Sequence, residues 1–186
     1  MGRVGIDTNV LILATSSGLL DASSPQFPKI VAAKRALDEG GDIVIPAPVW
    51  FEVIRGAKSH EVASLRDLRN RLRIEPVDAA AAERGAELAR AAVEGPVCPG
   101  CFNPRPATPC TVCGIARAKS ELVVDCMIVA VAELQRCTVL YTFDTNLQTI
   151  LKDHARLPIQ EPPGPSQLPL FTGVTGAVAN TRPQKA

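Results

Sequence analysis

Histidine is almost missing from this chain: His60 and His154 are the only two in 186 residues. A metal centre built on imidazole nitrogens therefore has too few donors. An excess of one charge sign is missing as well. The net charge is +1, so no whole-molecule field draws in a polyanion, and any basic surface has to be local. No apolar run approaches the roughly 20 residues that cross a bilayer. Nor does a basic segment with an apolar core and a small-residue cleavage site stand at the start. The expectation is a cytoplasmic protein with no membrane contact. Neither G-x-x-x-x-G-K-[ST] nor G-x-G-x-x-G occurs, which removes the common phosphate and dinucleotide loops.

What is there is ordinary for a globular protein, with 46% hydrophobic and 21% charged residues and room for one domain with a real core. Six cysteines would suit a secreted disulfide scaffold in a shorter chain, but four of them form two Cys-x-x-Cys pairs, Cys98/Cys101 and Cys110/Cys113. They fall in a proline-rich stretch, residues 95–114, that has neither helical nor strand periodicity. Eight residues between the pairs let the four sulfurs meet at one tetrahedral ion, for which zinc is the best match, and a closed four-thiolate shell makes that ion structural. Reduced thiols, a disulfide pair or an iron–sulfur cluster are the alternatives. Cys126 and Cys137 lack partner spacing and are expected as small buried apolar residues.

Four acids stand in comparable settings. Asp7 ends the apolar run Val4-Gly5-Ile6 and precedes Thr8-Asn9 and a second apolar run; taken alone, it is most simply the N-cap of the next helix. Residues 42–45 form a β-branched strand stopped by Pro46, after which 48–56 reads as a helix carrying Glu52, with proline near its first turn and Gly56 at its end. Residues 122–135 return to a helical pattern, with Asp125 expected near its start among valines and isoleucine. Thr138 to Phe143 is a strand ending in Asp144-Thr145-Asn146, an echo of Asp7-Thr8-Asn9. In an alternating β-α chain such ends gather on one edge of the sheet. Four carboxylates there repel one another, and a hard divalent cation with oxygen ligands is the usual remedy. Mg²⁺ prefers carboxylates plus substrate phosphates, so metal-assisted phosphodiester hydrolysis follows.

Between these elements, residues 55–73 carry six Lys or Arg against Glu61 and Asp67. Arg66, Arg69 and Arg73 recur three and four apart, so one helix face holds all three, either as a solvated face or as a phosphate-tracking ridge beside the acids. The alanine-rich segment 79–93 is helical, and its small residues suit close helix packing. Residues 157–159 supply a last edge strand.

Together, Asp-Thr-Asn after the first strand, Glu52 in Pro-x-Pro-x-Trp-Phe-Glu-Val, Asp125 in Val-Val-Asp-Cys-Met-Ile-Val-Ala-Val-Ala and Thr-Phe-Asp at the later strand resemble the PIN-domain nucleases, closest to the VapC-like toxin ribonucleases. The resemblance spans about residues 3–160. It implies a three-layer α/β/α fold on a central, mostly parallel sheet of four to five strands. By the same likeness Asp7, Glu52, Asp125 and Asp144 hold Mg²⁺ or Mn²⁺, with Thr8, Asn9, Thr142 and Asn146 orienting the acids or the substrate. Arg66, Arg69 and Arg73 join them as substrate contacts. RNA is the implied substrate, with an antitoxin protein and a second copy of the chain as the implied partners. On this reading residues 1–160 are the nuclease domain, interrupted by the four-cysteine insertion at 95–119, and 161–186 are a largely disordered tail. Compact toxins generally lack both the insertion and the tail, which leaves open either a toxin with its antitoxin or another PIN nuclease with a dedicated RNA. The competing class is a non-cleaving PIN-like module that binds RNA or protein through the zinc knuckle. A phosphatase-like or receiver-type acidic pocket fits less well, because such sites add a lysine or a phosphate loop.

Overall fold

The computed structural model describes residues 2–16, 23–94 and 119–164. The four cysteines of the insertion, Cys98, Cys101, Cys110 and Cys113, and the tail from 165 onward lie outside the described residues.

Five short strands form one parallel sheet: β1 (Arg3–Ile6), β2 (Ile43–Pro46), β3 (Arg73–Glu75), β4 (Cys137–Tyr141) and β5 (Ile159–Gln160), in the order β3-β2-β1-β4-β5. The helices α1 (Thr8–Thr15) and α2 (Phe27–Glu39) join β1 to β2, and α3 (Ala47–Gly56) and α4 (Ser59–Arg69) join β2 to β3. The return to the sheet centre runs through α5 (Ala79–Glu94) and α6 (Lys119–Leu134), and α7 (Thr145–Leu151) leads to β5. Parallel strands need such crossovers, and helices end up on both faces of the sheet. This is why β2, Ile-Val-Ile-Pro, is buried at all four positions rather than at alternate ones. The three-layer α/β/α expectation holds, with five strands.

Ile6, Leu11, Ile45, Leu88, Ile128, Leu140, Leu147 and Leu151 are fully buried and make one core between the layers. α6 packs on β2, β4, α3 and α5. It sits close on the sheet because β1 has a glycine beneath it: a Cβ on Gly5 would come within 3.1 Å of both the Ala132 Cβ and a Leu140 methyl. The alanine-rich α5 lies along α6, so its small residues do serve packing. Cys126 and Cys137 are buried and outside any disulfide, as expected, and burial pushes Cys137 up to about 11.

Two expectations need correction. α6 begins at Lys119, so Asp125 stands in its second turn and not at its start; the helical pattern extends upstream into residues whose composition did not announce it. Arg66, Arg69 and Arg73 do not share one helix face, because α4 stops at Arg69 and Arg73 is the first residue of β3. There Arg73 pairs with Glu75 and approaches Asp42 at 3.8 Å. The amino end of a strand is the sheet edge opposite the acids, so Arg73 is no part of a ridge beside them. Arg66 and Arg69 remain on the solvent side of α4.

Candidate active site

From β1 the chain steps outward through β2 to β3, then crosses back to place β4 on the other side of β1. β1 and β4 are thus neighbours whose following connections leave in opposite directions. Open α/β sheets gather ligands at the carboxyl ends of such a pair. Gly5 faces Leu140 and Ile6 faces Tyr141, and the Asp7 amide donates to the Tyr141 carbonyl at 3.0 Å. The register therefore sets the segment after β1 against the segment after β4.

Asp7 is the single residue between β1 and α1. Its backbone takes the N-cap conformation, φ −86° and ψ 164°, yet its side chain makes no capping bond. Its Oδ2 instead accepts from the Thr142 hydroxyl at 2.6 Å and from Asn9 Nδ2 at 2.9 Å. Thr142 is fully buried, and its Oγ1 also accepts from Asn9 Nδ2 at 3.1 Å and from the Asp144 amide at 2.9 Å. That hydroxyl donates once and accepts twice, which fills its capacity. Asn9 Oδ1 closes the ring by accepting the Phe143 amide at 2.9 Å. Asp144, in the same Asp-Thr-Asn context, behaves differently. Its Oδ1 caps α7, accepting from the amides of Asn146 at 2.7 Å and Leu147 at 3.2 Å. The simple cap reading is right for Asp144 and wrong for Asp7.

Glu52 reaches the same place from α3. Thr8, in the first turn of α1, donates its hydroxyl to Glu52 Oε2 at 2.5 Å. The Asp7 carboxyl is 5% exposed, and burial pushes it up from its ordinary 3.8 to about 6. The hydrogen bonds from Thr142 and from the Thr8 amide pull it back down, while the negative charges of Asp144 and Glu52 push it further up. Three of the four acids thus share one electrostatic neighbourhood. Asp125 is half-buried on α6, the helix that packs against both α3 and β4. As they lie, no three His, Cys, Asp or Glu side chains among the described residues form a group ready to hold a metal ion.

Two positioning contacts went unread in the sequence. Gln148 Nε2 donates to the Thr142 carbonyl at 3.0 Å, one turn into α7, fixing the loop that carries Thr142. Lys29 of α2 holds its ammonium 5.2 Å from the Phe143 ring centroid, beside Asp144. The first lies within six residues of one β–α connection, whereas the second joins segments more than a hundred residues apart and exists only in the folded chain.

The PIN domain family model matches residues 4–152 of the chain. Among solved structures, a crystal structure of Mycobacterium tuberculosis VapC20, described as a Sarcin-Ricin loop cleaving toxin, aligns at 16% identity and a TM-score of 0.49, over 78% of this chain and 93% of that one. No curated protein matches the chain.

Proposed function

The chain belongs to the PIN-domain family, and on that premise we propose that it is a metal-dependent endoribonuclease that hydrolyses RNA phosphodiester bonds. The observation that carries the reading is Asp7: a buried carboxylate at an N-cap position that does not cap, raised to about 6 by burial and by two neighbouring acids. A protein gains nothing in stability from such a group, since repulsion and desolvation both oppose its charged form.

The donor set fits a hard divalent cation, being carboxylate oxygens with hydroxyl and amide groups around them and no imidazole. Asp7, Glu52, Asp125 and Asp144 would hold Mg²⁺ or Mn²⁺, which when bound lowers the pKa of a water and offsets charge on the phosphoryl oxygens. The remaining work falls to the chain. Thr142 and Asn9 fix the orientation of Asp7, Thr8 fixes Glu52, and the Asn146 amide fixes Asp144. These bonds hold the acids in place before substrate arrives, as precise positioning requires.

The four-cysteine insertion binds a structural Zn²⁺ separate from this chemistry, and metal analysis of purified protein checks it: one zinc per chain is expected, and iron or no metal refutes it. In the toxin role the partners are a cognate antitoxin and a second copy of the chain.

Purified protein is incubated with structured and unstructured RNAs in Mg²⁺, Mn²⁺ or EDTA. Cleavage with either ion is expected, with none in EDTA and none by Asp7→Asn or Asp125→Asn. Full cleavage by both variants would overturn the reading, and tight RNA binding without cleavage would favour the non-cleaving module instead.

A further inference from the structure

α3 presents Glu52 to the acid site on one side and something else on the other. Val49 and Val53 are buried, and Trp50 and Ile54 pack against the core. Phe51, on the outward side, is 64% exposed. The chain is poor in aromatics, at 4%, and it packs Trp50, Tyr141 and Phe143 against the core. The other large apolar side chains exposed among the described residues, Ile12, Val123 and Leu134, are aliphatic. Phe51 is thus the aromatic ring among these exposed side chains.

Its surroundings indicate a role. The Arg55 guanidinium lies 5.8 Å from the Phe51 ring centroid, and exposed Lys58 follows just past the end of the helix. Arg55 is four residues after Phe51 and three after Glu52, so on the helix surface it neighbours both. The order around α3 is then an aromatic ring, a guanidinium and a site carboxylate. A protein partner would want a contiguous apolar patch; here the ring is bordered by cations. A single exposed ring beside cations suits single-stranded nucleic acid, whose bases stack on aromatic faces while Arg and Lys take the phosphates.

We infer that Phe51 and Arg55 form a substrate-positioning platform. One unpaired base of the RNA stacks on the free face of Phe51, and Arg55 holds the adjoining phosphate, so that the backbone is led past Glu52 into the acid site. This rests on the endoribonuclease reading and adds to it two residues that position the strand and the side from which it enters. Neither residue touches the bond that is cleaved; both set where the strand lies.

The test measures binding of a fluorescently labelled single-stranded oligoribonucleotide to full-length protein carrying Asp7→Asn, which holds the RNA intact, in Mg²⁺. Adding Phe51→Leu keeps apolar area but removes the ring. Affinity is expected to fall about 5- to 150-fold, the range for loss of one stacked base. Phe51→Trp is expected to restore it, and Arg55→Gln to make the log-log salt slope shallower by about 0.7. Binding of a blunt RNA duplex should be the same in all of them. In the cleaving protein, Phe51→Leu should raise KM for single-stranded RNA more than it lowers kcat. Because Phe51 is largely solvent-exposed, equal melting temperatures verify that the fold is kept. If the parent binds single strands and Phe51→Leu binds them equally well, the platform is overturned and the endoribonuclease reading stands. A change in sedimentation of the RNA-free protein with unchanged RNA binding overturns it too, and makes Phe51 a contact between copies. A parent that binds no RNA overturns the reading and the platform with it.

Discussion

Asp7→Asn should make the protein more stable while removing its activity, and the size of the gain follows from the site. The Asp7 carboxyl lies at about 6 in the folded chain against 3.8 in an unstructured one. For an acid shifted in this direction, the folded state still holds a proton between those two values that the unfolded state has released. Stability therefore falls as pH rises through the window, is penalised in full above about pH 6 and carries no penalty below 3.8. At about 1.4 kcal/mol per unit, the interval is worth about 3 kcal/mol. Asparagine stays neutral throughout and keeps an oxygen for the Thr142 hydroxyl and Asn9 Nδ2. In EDTA at pH 8 the variant should melt about 6–12 °C above the wild type, given ~2–4 °C per kcal/mol for a chain of this size. The gap should close between pH 6 and pH 4, and RNA cleavage should be lost at every pH. Circular-dichroism melts of both proteins from pH 4 to 8 measure it. A variant that is less stable at pH 8, or a gap that does not change with pH, would refute the claim that Asp7 is a buried charge held at the expense of stability.

The buried Thr142 hydroxyl makes three hydrogen bonds, so Thr142→Val should cost about 2–3 kcal/mol in urea titrations by leaving partners unsatisfied, and should also lower kcat; Thr142→Ser should recover most of both. Glu133, 4% exposed, pairs with Arg84 at 2.7 Å, and Arg84 also donates to the His154 carbonyl at 2.9 Å. Glu133→Ala leaves Arg84 with Glu87 at 3.1 Å but takes the acceptor from the Arg156 amide, and should destabilise by about 1–3 kcal/mol, with cleavage per folded molecule unchanged, since the pair ties α5 to α6 away from the acids. Arg136, two residues past the end of α6, has φ 57°, a left-handed conformation that costs a side chain about 1 kcal/mol, so Arg136→Gly should raise the denaturation midpoint rather than lower it.

The sequence alone determined the parts of this protein. Alternation of β-branched runs with helical stretches specified a parallel α/β sheet, and an acid at or just after the ends of those runs marked Asp7, Glu52 and Asp144, because side-chain periodicity and strand-ending residues are local properties. Strand order was not local. Only the tertiary structure set β4 beside β1, and that adjacency lets Thr142 and Asn9 clasp Asp7 across the two segments. It also separated two acids that the sequence wrote alike. Asp144 keeps the capping role that Asp-Thr-Asn suggests, whereas the Asp7 side chain takes its bonds from the buried hydroxyl of the segment after β4 and from Asn9. The arginine spacing misled for a related reason: three- and four-residue periods signal a shared face only while the helix lasts, and the turn after Arg69 sends Arg73 to the opposite edge of the sheet. Glu52 and Phe51 are adjacent in the chain, yet one faces Thr8 and the other faces water. Composition cannot make that distinction, because it depends on which side of α3 the core has claimed.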